Sequence, residues 1–258
     1  MGRTVAAAVT RRGVGLHSGR PCAARVAPAP PGHGLRLNGA PLGQLAVLST
    51  RRATSVATPT GPVATVEHLL AALVGQGVTD AEVTVEGGEA PILDGSAAPW
   101  AQALILVEHG GGAPWRPPRS VSVADGERWI RVSPAPALRL TVVAHHPPAP
   151  PWRCEVGLED FARDVAPART YVFLRDVAAL RAAGLAQGGA LDNALVLTDA
   201  GAPVQGALRL PDEPARHKAL DLLGDLALLG RPLAAHVEAH RPGHALNQRL
   251  VAALRALA

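Results

Sequence analysis

In the segment RHKALDLLGD, residues 216–225, His217, Asp221 and Asp225 recur at four-residue steps beside Lys218, among leucines and alanines. At about 100° per residue, the four polar side chains fall within a helical arc of roughly 100°. Leu220, Leu222, Leu223, Leu226 and Leu229 cover most of the remaining circumference. A helix this apolar is largely buried, so its polar stripe should face an internal cleft. His and Asp at i and i+4 project from one face with Cβ atoms about 6 Å apart, close enough to bind one metal ion. A solvated stripe with an ion pair from Lys218 to Asp221 or Asp225 explains the same pattern equally well, and the helix alone does not choose.

A catalytic zinc site usually has three protein ligands and keeps a fourth position for water, so His217 and Asp221 need a third partner. His68 is a candidate because it follows Glu67, and a Glu beside an activated water is a common general base. Taken singly, the Glu67-His68 pair reads more simply as an acidic side chain in a first helical turn plus an incidental His. A rival metal pattern is HVEAHRPGH, where His236, His240 and His244 are also spaced by four. Pro242-Gly243 should end any helix before His244, which makes that triple spacing coincidental. His244 lies just before a new helical segment and can project into a cleft as an acid, although by itself this is a weak signal.

These residues need elements to hold them. TVEHLLAALVGQG, residues 65–77, reads as a helix with Thr65 as a cap and an apolar stripe of Val66, Leu69, Leu70, Leu73 and Val74, leaving Glu67 and His68 outside the stripe. SAAPWAQALILVEHG, residues 96–110, also reads as a helix. TVAAAVT, GLRLNG and DAEVTVEGG read as strands upstream, and WIRVSP, LRLTVVAHH, TYVFL and ALDNALVL as strands downstream, with the helix RDVAALRAAG ending at Gly184. Gly and Pro crowd together in HGGGAPWRPPRS, residues 109–120, which marks a seam. Two α+β halves follow, residues 1–115 and 116–258.

At 258 residues, with 48% apolar and 18% charged residues, the chain can bury a core and is not globally disordered. A net charge of +4 without a dense Lys/Arg run argues against a nucleic-acid partner. Cys22 and Cys154 form no CxxC pattern, which disfavours a disulfide framework or a thiolate zinc site and fits a reducing compartment. Neither a signal-peptide h-region nor an apolar run of about 18 residues is present, so a cytoplasmic location without a transmembrane segment is expected.

GVGLHSG, TVEHLLAAL, PILDGSAAPW, ARTYVFLRD, GGALDNALV, RHKALDLLGDLALLG and GHALNQRLV occur in this order along nearly the whole chain. In that order and spacing the sequence resembles the UDP-3-O-acyl-N-acetylglucosamine deacetylases, zinc enzymes of lipid A biosynthesis in Gram-negative bacteria. The resemblance implies an α+β chain of two related domains, each a helical layer on a sheet, with the active site between the two helical layers. It also implies a βαβ insert at about 170–197 and a metal-binding helix at about 213–229.

By that resemblance one Zn²⁺ is held by His68, His217 and Asp221, and the reaction removes the N-acetyl group of UDP-3-O-acyl-N-acetylglucosamine, releasing acetate. Glu67 would be the base for the attacking water, and His244 the acid for the leaving nitrogen, held as imidazolium by Asp225. Thr170 would donate to the oxyanion, and Lys218 would be an electrostatic partner. Leu16, His17, Tyr171, Phe173, Leu174, Val177, Leu185, Ala186 and Ala194 would lie near the substrate, most of them lining a passage for its acyl chain. A monomer is expected. Tyr171 stands where the family usually has Phe, and the loop after His146-Pro147 is short. Two further readings are a zinc amidohydrolase of the same fold acting on another N-acyl sugar, and a non-catalytic nucleotide-sugar binder. Retention of Glu67, His68, Thr170, His217, Asp221, Asp225 and His244 together argues against the binder.

Overall fold

The computed structural model describes residues 2–257. Six α-helices are present among them: α1 (Glu67–Gly75), α2 (Ala98–Ala103), α3 (Phe161–Asp164), α4 (Leu174–Ala182), α5 (Glu213–Leu226) and α6 (His244–Arg255). The strands form two five-stranded sheets and three smaller ones, a mixed α+β architecture.

The two large sheets repeat one topology. In the first, the spatial order is Val9–Val14, Pro21–Pro28, Ala81–Glu86, Leu35–Leu37, Ala40–Pro41; in the second it is Val121–Asp125, Arg128–Pro134, Ala235–His240, Arg139–Ala144, Trp152–Gly157. In each, the last strand in sequence enters the middle, antiparallel to one neighbour and parallel to the other. In each, one helix precedes that central strand and another follows it, α1 and α2 in the first half and α5 and α6 in the second. Period-two burial explains the strands: Val83 and Val85, like Val237 and Ala239, are buried while their sequence neighbours are not.

Extra elements occupy equivalent places between the fourth strand of each sheet and the helix that precedes its central strand. In the first half this is a three-stranded sheet, Val47–Ser49, Ser55–Thr58 and Gly61–Val63. In the second it is a parallel pair, Tyr171–Phe173 with Leu195–Leu197, joined by α4. Together they make a parallel βαβ unit over Tyr171–Leu197. Among the described residues no helix is long and apolar enough to cross a membrane.

Three local expectations are corrected, and the rival histidine pattern is set aside. The helix expected over residues 96–110 stops at Ala103, and Leu106–His109 instead pairs antiparallel with Gly2–Val5. The strand expected at residues 4–10 is split between Gly2–Val5 and Val9–Val14, which pair with different partners. Thr65 does not cap α1: it has φ +55° and its hydroxyl donates to Glu89. HVEAH is strand, not helix, and among the described residues His236 and His240 join no metal-capable group.

The core runs through both halves because α1 packs against α5. Eight of the nine α1 residues are buried, Glu67 and His68 included, since the helix lies between its own sheet and α5. The approach is closest at Gly224, where a Cβ would overlap the carbonyl oxygen of Glu67. Gly224 therefore permits the contact that brings the polar stripe of α5 onto the first turn of α1.

Candidate active site

Helix α5 continues into a 3₁₀ turn at Ala227–Leu229 and stops at Gly230, φ +79°. Its polar stripe faces the N-terminus of α1. His68, His217 and Asp221 each offer a ligand atom, and these atoms lie within 4.8 Å of one another, all three side chains being buried. The His217 Nε2 is 3.2 Å from Asp221 Oδ1, and His68 Nε2 is 3.7 Å from the same oxygen.

The donor chemistry fits a cation. His217 Nδ1 lies 3.1 Å from the Ala168 carbonyl, which can only accept, so Nδ1 carries the proton and Nε2 presents a lone pair. Burial holds the His217 imidazole below its ordinary pKa, outweighing the pull of Asp221. A lone pair facing a carboxylate oxygen at this distance is unfavourable unless a cation sits between them, and a carbonyl accepting from the other ring nitrogen is how metal-bound His is commonly oriented. Among the described residues, His68 Nδ1 is buried without a partner.

Glu67 and His244 face each other beside this group, with Oε1 and Nε2 3.7 Å apart. His244 is the first residue of α6, following Gly243 in extended conformation. Its Nδ1 donates to Asp225 Oδ2 at 2.8 Å, which leaves Nε2 directed at Glu67. Burial would lower the His244 pKa, but Asp225 and Glu67 outweigh it and raise it to about 10. Burial, with Asp225 and Asp221 adding to it against His244, raises the Glu67 carboxyl to about 7. The site thus holds a carboxylate that can take a proton near neutral pH and an imidazolium that can give one.

Lys218 Nζ donates to Asp221 Oδ2 at 2.7 Å and lies 5.4 Å from the centre of the Tyr171 ring. Burial opposes its charge, but Asp221 holds its pKa above the ordinary range. Its charge is therefore committed in part to a candidate metal ligand. Tyr171 lies edge-on to His217, with ring centres 6.0 Å apart, and its hydroxyl is 2.9 Å from His146 Nε2.

Thr170 is set by two backbone bonds, its N–H to Gly95 O and its carbonyl to the Leu195 N–H. Gly95 has φ +83°, and a Cβ there would overlap the Asn193 carbonyl, so the PILDGS turn of the first half presses directly on the insert. Asp94 accepts from the Ser96 amide and pairs with Arg209. Glu213, fully buried, accepts from the Arg169 guanidinium and from the Arg169 and Arg209 amides, which anchors the residue before Thr170.

A cavity of about 350 Å³ opens beside Thr170 and is lined by Leu16, His17, Tyr171, Leu174, Val177, Ala186 and Ala194, together with Val172, Val196 and others. Phe173 and Leu185 do not line it. In the parallel pair, Val172, Ala194 and Val196 turn to the cavity, while Phe173, Leu195 and Leu197 turn to a separate small core with Ala149. Leu185 is half-buried and borders a separate hollow with Arg51 and Arg52. Strand alternation separates Val172 from Phe173 and Val196 from Leu195 and Leu197, so the Phe173 expected in the passage turns away from it.

Three contributing residues were missed by sequence reasoning. Glu89, buried, accepts from the His17 and Ser18 amides and the Thr65 hydroxyl, and these bonds hold its pKa low against burial. It thereby fixes the GVGLHSG turn, whose His17 and Leu16 carbonyls accept from Gln187 and Gly188 of the insert. Asn247 donates to Asp225 Oδ2. Thr54 reaches both Glu67 and Asp225. The Asn247 position, three after His244 on α6, is compatible with a shared helical face, but the other two sit in irregular chain.

Comparison with known proteins agrees with this arrangement. The family model described as LpxC: UDP-3-O-acyl N-acetylglycosamine deacetylase matches residues 2–256. A protein named UDP-3-O-acyl-N-acetylglucosamine deacetylase from Anaeromyxobacter sp. (strain Fw109-5) is 43% identical over 266 residues, covering 96% of this chain and 86% of its own length. Proteins of the same name from Myxococcus xanthus (strain DK1622) and Thermosynechococcus vestitus are 40% and 42% identical, over 96% and 98% of this chain and 84% and 93% of their own lengths. With the match extending from the first sheet through α6, the chain belongs to the UDP-3-O-acyl-N-acetylglucosamine deacetylase family.

Proposed function

We propose that the protein hydrolyses the N-acetyl group of UDP-3-O-acyl-N-acetylglucosamine, giving acetate and the free amine, in lipid A biosynthesis. The observation that carries the reading is the facing pair Glu67 and His244 beside the convergent donors of His68, His217 and Asp221. These three residues would hold one Zn²⁺, whose chemistry when bound is Lewis-acid activation of water and of an amide carbonyl. Glu67 takes the proton of the attacking water. His244, held by Asp225 with Nε2 toward the reacting centre, gives its Nε2 proton to the leaving nitrogen as the C–N bond breaks. Thr170 lies at the cavity wall, where its hydroxyl is suited to donate to the oxyanion.

The apolar cavity suits the 3-O-acyl chain, and burying each methylene of that chain contributes about 0.8 kcal/mol. Residues 1–115 and 116–258 form the two domains in this reading, and the protein acts as a cytoplasmic monomer. The test is acetate release from UDP-3-O-acyl-N-acetylglucosamine by purified, metal-analysed protein, alongside Glu67→Ala. Zinc near one per chain, turnover by the natural protein and a collapse of turnover with zinc retained in the variant are expected. No acetate from this substrate but turnover of another N-acyl sugar would move the activity to that substrate. Substrate binding without any turnover would make the chain a binder.

A further inference from the structure

Thr54 is fully buried and immediately precedes the strand Ser55–Thr58 of the extra sheet of the first half. Its backbone N–H donates to Glu67 Oε2 at 3.1 Å, and its own carbonyl accepts from the Val66 amide at 3.4 Å. Its hydroxyl lies 2.5 Å from Asp225 Oδ1 and 3.2 Å from His244 Nδ1.

Only one proton arrangement satisfies these contacts. A carboxylate oxygen accepts, so the Thr54 hydroxyl donates to Asp225 Oδ1 and the His244 Nδ1–H donates to Asp225 Oδ2. The lone pair of the Thr54 oxygen then faces the His244 Nδ1–H. The remaining bonds to Asp225, from Asn247 and Gln248, come from α6 itself. Among the described residues Thr54 is the one that carries a hydrogen bond from the first half to this carboxylate. It bonds Glu67 with its backbone N–H and Asp225 with its hydroxyl, and those two donors are only three bonds apart, with one torsion between them.

We infer that Thr54 is a positioning residue for the acid–base pair, setting the separation of Glu67 and His244 and locking the His244 ring with Nε2 toward the reacting centre. The inference rests on the proposed reaction for its kinetic consequence and on the hydrogen-bond ring for its structural one. Losing the hydroxyl leaves Asp225 Oδ1 one donor short in a buried site and loosens the carboxylate that orients the imidazole, while the amide bond to Glu67 persists. Misplacement of a reacting group on the order of 1 Å costs up to about 100-fold in rate.

The experiment compares Thr54→Val, which keeps shape without the hydroxyl, with Thr54→Ser, which keeps the hydroxyl. The expected result for Thr54→Val is zinc content and KM near those of the natural protein with kcat about 10- to 100-fold lower, and for Thr54→Ser a return of most of that loss. The His244 Nδ1-bound proton, assigned in the proton NMR spectrum by its disappearance in His244→Ala, should shift or exchange faster in Thr54→Val and recover in Thr54→Ser. Should Thr54→Val not fold, Thr54→Ala removes the same hydroxyl and is compared with Thr54→Ser in the same way. Equal losses in the Val and Ser variants, a loss confined to KM, or an unchanged His244 proton without the hydroxyl would overturn the inference. If the natural protein released no acetate, the proposed reaction would fail, while the NMR comparison would still decide whether Thr54 holds the imidazole.

Discussion

Gly224 lies against the carbonyl oxygen of Glu67 so closely that a Cβ at Gly224 would overlap it. The atom in the way is backbone at the first residue of α1, which cannot swing aside as a side-chain end can. Gly224→Ala must push α1 and α5 apart, and the two helices carry the three candidate ligands between them. Overpacking of this kind costs about 1–3 kcal/mol. The expected outcome is a lower Tm together with weaker metal retention on dialysis, and an unaltered Tm with full metal content would contradict it.

The pH dependence follows from Glu67 and His244. Glu67, raised to about 7 by burial first and by Asp225 and Asp221 second, must be deprotonated to act as base. His244, raised to about 10 by Asp225 and Glu67 against burial, must be protonated to act as acid. Thus kcat/KM should rise as pH climbs through about 7 and fall as it passes about 10. Asp225→Asn removes the main group that raises His244, so the alkaline limb should move to lower pH while the acidic limb persists. A pH–rate series on both proteins checks this, and an alkaline limb that stays in place would remove His244 as its source.

The residues on α5 stood out as a polar stripe on an otherwise apolar helix, although the stripe alone did not separate a site from a solvated ion pair, and α1 was legible because its apolar period was regular. Their meeting was not legible from period alone: it depends on Gly224, one small residue whose importance appears only when the second helix is in place. Thr54 and Glu89 lie in irregular chain, where neither the 3.6 nor the 2.0 period applies, and their partners are 171 and 72 residues away. The segment Leu106–His109 continued an apolar helical pattern, but pairing with Gly2–Val5 determined its conformation, a tertiary contact overriding local preference. The repeated sheet topology was implied by the family resemblance; the motif spacing did not reveal it.

The pair Arg169–Glu213 should carry stability as well as position. Glu213 is fully buried and bonded by the Arg169 guanidinium and two backbone amides. Burial alone would raise its carboxyl pKa, but these donors outweigh burial and hold it below the ordinary value. A depressed folded-state pKa contributes stability that is present above the unfolded-state value and lost as pH falls through the folded value. Glu213→Ala leaves Arg169 without its charged partner and should cost about 3–5 kcal/mol. Urea unfolding at neutral and acidic pH checks both statements: the gap between natural and variant protein should narrow in acid. A constant gap would mean that the carboxylate charge is not what stabilises.

The two faces of the parallel pair predict separable effects. Val196 turns to the cavity of about 350 Å³, whereas Leu197 beside it is fully buried in the small core with Phe173 and Leu195. Val196→Trp places an indole in the passage and should reduce turnover of long-chain 3-O-acyl substrates far more than of short-chain ones, with Tm little changed. Leu197→Ala removes buried volume and should cost about 2–5 kcal/mol, with the chain-length preference kept because no cavity-lining group is altered. Kinetics across acyl lengths, combined with denaturant unfolding, distinguishes the two. If Val196→Trp slowed all lengths equally, the cavity would not be the acyl passage, and if Leu197→Ala changed length preference without loss of stability, the assignment of faces would be reversed.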